Sequence, residues 1–104
     1  MGASTKFVQI IEFETDRIEE MRALAEETDQ RLADRDGGPS YRLVLKDRNQ
    51  PNRYLVLVEF ASHEEAMRNS EDPGTSKFAE QMATLCTRPP VFTDCDVEDR
   101  TTFG

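Results

Sequence analysis

The 104-residue chain is predicted to be a single α+β domain, a four-stranded antiparallel sheet with helices on one face, in the order strand, helix, strand, strand, helix, strand. Three observations predict it. Arg53 to Phe60 (Arg-Tyr-Leu-Val-Leu-Val-Glu-Phe) is rich in β-branched, aromatic and aliphatic residues and free of Gly and Pro, as a sheet interior requires. Two helical stretches with apolar stripes separate strand-like segments. A polar connection, Asp47 to Asn52, is short enough to join neighbouring antiparallel strands. Right-handed crossovers then place both helical stretches on the same face.

Taken in order, Phe7 to Phe13 alternates, with Phe7, Ile11 and Phe13 on one side and Val8 and Ile10 on the other. The next segment is acidic and helical. Ile18, Met21, Leu24, Ala25 and Leu32 share one stripe at 3.6-residue periodicity, and Thr28 lies at its edge. Asp16 is the expected cap, with Glu19 completing a capping box. Gly37, Gly38 and Pro39 are expected to end that helix. Tyr41 to Lys46 reads as the second strand and Tyr54 to Phe60 as the third, a central one.

Ser62 is the expected cap of the next helix, with Glu65 at the matching box position. Asp72-Pro73-Gly74 should stop or bend it. A new helix can start there, with Asp72 as cap and Pro73 in its first turn, burying Phe78, Ala79, Met82 and Leu85. Pro89 and Pro90 lead into a last strand at Val91 to Val97, and Glu98 to Gly104 is a loosely held tail.

The middle of the third strand is apolar on both faces: Tyr54, Val56, Val58 and Phe60 alternate with Leu55 and Leu57. Two helices shield one face only. If ~500 Å² of apolar area stays open on the other, covering it contributes about 12 kcal/mol before association costs. A second copy of the chain, packed sheet to sheet as a homodimer, is the expected cover. It also relieves the limited core of so short a chain, which buries only about 65% of its unfolded surface.

Composition excludes several partners. A net charge of -8, with no cluster of Lys and Arg, argues against nucleic acid and against an anionic membrane surface. No apolar run approaches ~20 residues, and Met1 to Thr5 lacks the features of a secretory signal, so a cytoplasmic location is expected. Cys86 and Cys95 have no metal-like spacing and read as two thiols, one near a helix end and one in a strand. His63, the only histidine, falls in a first helical turn beside Glu64 and Glu65, where a general-base role finds little support. Asp94 and Asp96 share a strand face and read as solvated carboxylates. Tyr41, Arg42 and Tyr54 are the candidate site residues: Arg42 for orienting an anionic or phenolic ligand, the tyrosines for burying an aromatic body while keeping a hydroxyl.

The segment Val58-Glu59-Phe60-Ala61-Ser62, then Glu64-Glu65-Ala66, then Ser70 and Asp72-Pro73 before Phe78, with Pro89-Pro90-Val91 opening the last strand, resembles the antibiotic-biosynthesis monooxygenase family. The resemblance covers residues 6 to 98 by element order. It implies a ferredoxin-like protomer, a dimeric α+β barrel, and a ligand pocket between sheet and helices. It also implies oxidation of a small aromatic or quinol-like substrate without a cofactor or metal. Where active relatives carry His in the second helix, this chain has Arg68 and Asn69; Gly74 and Thr75 follow Pro73, and Phe60 stands where Trp is common. Haem breakdown is not expected from this pattern. A non-catalytic ligand-binding or structural dimer is the competing reading.

Overall fold

In the computed structural model, which describes residues 6–32 and 38–104, alternation along the chain is realised as one four-stranded sheet. The expectations for the first five residues and for Gly37 fall outside the described residues, as does the side chain of Leu32. The strands are β1 (Phe7–Glu14), β2 (Tyr41–Lys46), β3 (Arg53–Phe60) and β4 (Val91–Asp96). The helices are α1 (Ile18–Leu32), α2 (His63–Ser70) and α3 (Pro73–Leu85). Every strand pairing is antiparallel, in the order β2-β3-β1-β4, so β3 and β1 are central. This is the predicted α+β, ferredoxin-like arrangement, with the second helical stretch broken in two.

The break follows from local chemistry. Ser62 caps α2, its hydroxyl accepting the Glu65 amide at 3.2 Å. Three residues after Asn69, Asp72 caps α3 by accepting the Gly74 amide at 2.7 Å, with Pro73 in the first turn where its missing N–H costs nothing. The cap of α1 differs from expectation. The helix begins at Ile18, with the Met21 amide on the Arg17 carbonyl, one position too late for Asp16. Thr15 anchors this end without capping it: fully buried, it accepts the Arg17 amide at 3.0 Å and donates to the Leu85 carbonyl at 2.6 Å, which ties the start of α1 to the end of α3. In the β2–β3 hairpin, Asn52 takes a φ of 67°, a left-handed geometry that asparagine tolerates. Asp47 accepts the Asn49 amide and pairs with Arg53 at 2.7 Å.

Direct cross-strand partners share a face, so the registers divide the sheet's side chains. Phe7, Phe13, Tyr54, Val56 and Phe60 face the helices and are buried; Met21 of α1 and Met82 of α3 close over Phe13, Tyr54 and Val56. Val8, Ile10, Leu43, Leu45, Leu55, Leu57 and Val91 lie on the opposite face, which none of the described helices covers. There Leu43 is 45% exposed and Val91 54%. Glu59 is buried on this same face, 3.6 Å from both Lys6 and Arg100. After β4 the Val97 amide donates to the Lys6 carbonyl at 2.9 Å, and residues 98–104 are exposed, with Arg100 reaching Glu59.

Candidate functional site

The helix-facing side of the sheet does not close completely, and its sequence explains why. The edge strands offer polar residues to the helices: Arg42 and Lys46 from β2, Asp94 and Asp96 from β4. Their apolar members on that side, Val44 and Phe92, remain 56% and 48% exposed. The middle of the sheet is therefore apolar, and its edges are polar or exposed. The break between α2 and α3 adds to this, since Asn69 from one side of it and Thr75 from the other both border the space beneath. The result is a cavity of about 450 Å³, within the range of small-molecule sites.

Its floor is Ile11 and Phe13 of β1 with Tyr54, Val56, Val58 and Phe60 of β3. Its roof comes from Met21 and Ala25 of α1 and from Phe78, Ala79 and Met82 of α3. Phe13 and Tyr54 stack with centroids 5.6 Å apart and an interplanar angle of 19°, giving the floor an aromatic surface. Polar groups are few. Gln9 reaches the cavity while donating to Asp94 at 3.1 Å. Arg42 forms a bidentate pair with Asp29 of α1, at 2.9 and 2.7 Å, and both residues line the rim. The hydrogen bonds to Asp29 hold the Arg42 guanidinium firmly in its charged form. Two of its five N–H donors are occupied by this pair, leaving three. The hydroxyl oxygen of Thr75 is buried and has no hydrogen-bond partner among the described residues, an arrangement that costs about 1–3 kcal/mol.

Of the residues singled out from sequence, Arg42 and Tyr54 meet at this cavity. Tyr41 does not line it; it pairs with Glu59 in the ladder and shares the open face. His63 packs edge-on against Phe7 at 5.2 Å and is not part of the lining. Cys86 caps the end of α3, where its thiol donates to the Met82 carbonyl at 3.3 Å and burial pushes it up, away from a reactive thiolate. Asp29 and Thr75 were missed. Asp29 reads as one of many carboxylates on an acidic helix. Thr75 carries a weak sequence signal, its place directly after the Pro73-Gly74 helix start. Among the described residues no group of three or more His, Cys, Asp or Glu could hold a metal ion. Nor is any of their helices long and apolar enough to cross a membrane. The arrangement is a mainly apolar space, removed from bulk water on its floor and roof, with N–H donors of Arg42 at its edge.

No protein-family model matches the chain, and no curated protein matches it. Solved structures do. A variant of SnoaB, a cofactor-independent oxygenase from Streptomyces nogalater, superposes with a TM-score of 0.77 at 17% identity, covering 91% of this chain and 95% of that one. A protein named as a putative antibiotic biosynthesis monooxygenase from Caulobacter crescentus gives 0.78 at 11% identity, covering 93% of each chain. Another so named, from Nitrosomonas europaea, gives 0.74 at 14% identity, covering 93% of this chain and 94% of that one. The chain thus has the α+β ferredoxin-like fold of the antibiotic biosynthesis monooxygenase-like structures.

Proposed function

We propose that the chain is a cofactor-independent monooxygenase for a small aromatic or quinol-like substrate, working as a homodimer that meets through its open sheet faces. The observation that carries this reading is the cavity: about 450 Å³, floored by stacked aromatics and walled mainly by apolar side chains, with polar groups that include Gln9, Asn69, Thr75 and the Arg42–Asp29 pair. In such a site an electron-rich ring loses its water shell, and the anion formed on deprotonation reacts with dioxygen. The substrate supplies the electrons; one oxygen atom enters the product and the other leaves as water. Arg42 and Tyr54 are the proposed orienting groups, the free N–H donors of Arg42 serving the oxyanion as charge develops. Tyr41, on the opposite face, belongs to the proposed subunit contact.

Oxygen consumption across a panel of quinols and polyphenols, repeated with Arg42→Ala, tests the reading. Turnover by the native chain, reduced in the variant, is expected; no turnover by either defeats the enzyme assignment for these substrates. A second reading, a non-catalytic ligand-binding dimer, is favoured by the location of His63 outside the cavity and by the engagement of Arg42 with Asp29. Ring ligands that bind without consuming oxygen would select it.

A further inference from the structure

Arg42 stands at the mouth of a mainly apolar cavity, where a lone guanidinium would recruit carboxylates, the anion that its planar fork fits best. One side of that fork is already taken. Asp29, thirteen residues earlier on α1, takes both terminal nitrogens of Arg42 at 2.9 and 2.7 Å. The remaining charges on the rim do not restore a positive site, because Arg22 and Glu26 are of opposite sign. The chain as a whole carries -8, which further opposes an anion approaching the opening.

We infer that Asp29 is a specificity-determining residue: by occupying the Arg42 fork at the rim, it makes the cavity select uncharged hydroxylated rings and reject ring carboxylates. This rests on the proposed role of the cavity as the ligand site and defines the substrate class it admits. A neutral hydroxyl needs only one of the three N–H donors that Asp29 leaves free. A carboxylate on those donors would lie beside the Asp29 carboxylate, two like charges sharing one guanidinium. The selection is electrostatic exclusion of the wrong ligand, independent of the size of the pocket.

Naphthol and naphthoate share a ring system and differ in charge at neutral pH, so they isolate this effect. Calorimetric titration of the native protein, Asp29→Asn and the control Glu64→Gln compares the two. Glu64→Gln makes the same change in net charge on an exposed helical turn away from the cavity. The native chain and the control are expected to bind naphthol at least about tenfold more tightly than naphthoate, and Asp29→Asn to narrow that ratio by about tenfold. Such a swing corresponds to ~1.4 kcal/mol. Circular dichroism verifies the fold of each variant, and Asp29→Ala takes the place of Asp29→Asn if that chain does not fold. Naphthol binding with no discrimination against naphthoate, a ratio unchanged at position 29, or an equal change in the control would overturn the inference while leaving the ligand site intact. Binding of neither compound by the native chain would overturn both. Because binding is read without turnover, failure of the oxygenase assignment alone is seen separately.

Discussion

Leu43 lies on the open face of β2, opposite Leu57, and is 45% exposed in the protomer. Replacing it with Asp is the sharpest test of the proposed subunit contact. Fully burying a leucine side chain contributes about 1.5–3 kcal/mol, so covering the exposed 45% contributes ~0.7–1.4 kcal/mol per chain. A two-fold contact uses the residue twice, doubling that figure. The introduced carboxylate must also be desolvated, at a cost of at least ~1 kcal/mol per chain. The low end of both contributions is about 3.4 kcal/mol per dimer, a loss of ~300-fold in dimer affinity. Sedimentation velocity from nanomolar to high micromolar concentration measures it, with circular dichroism to show that the protomer still folds. The reasoning is refuted if the native chain sediments as a monomer throughout, or if Leu43→Asp dimerises as tightly as the native chain.

Three further outcomes are expected. Thr15→Val removes the hydroxyl that joins Arg17 to Leu85 and should lower stability by about 1–3 kcal/mol, while Thr15→Ser restores most of it; an unchanged urea midpoint would contradict this. Asp72→Ala uncaps α3 at the Gly74 amide and should cost about 1 kcal/mol by the same measurement, with Asp72→Asn close to native. Asp47 is held below the ordinary aspartate value, first by the Asn49 amide and then by Arg53. Since its pKa falls on folding, its stabilisation is complete above the unfolded value near about pH 4 and is lost as pH falls through the lower folded value. Asp47→Asn should therefore flatten the acid limb of stability against pH; an identical limb would show that the hairpin contacts do not act this way.

The fold was legible because its signals are local. Alternation through Tyr54 to Phe60 and the caps at Ser62 and Asp72 depend on neighbours a few residues away, and each appears where the sequence placed it. The anchoring of the start of α1 was not legible, because Thr15 is fixed partly by the Leu85 carbonyl, 70 residues distant. The site was partly readable. Adjacent strand residues point to opposite faces, so alternation alone shows that Tyr41 and Arg42 cannot both enter one cavity of their own protomer. Which of them faces the helices depends on the register with β3, and Asp29 gains meaning only once α1 lies beside β2.

The alternation of β3 has an evolutionary consequence. Tyr54, Val56, Val58 and Phe60 shape the interior space, while Leu55, Leu57 and Glu59 belong to the outside of the sheet. Inserting or deleting one residue there would exchange the two sets wholesale, so this strand can diverge only by substitution. Even-numbered positions can then be varied to change which molecules fit within, and odd-numbered ones to change what the outside adheres to, with each set altered independently of the other.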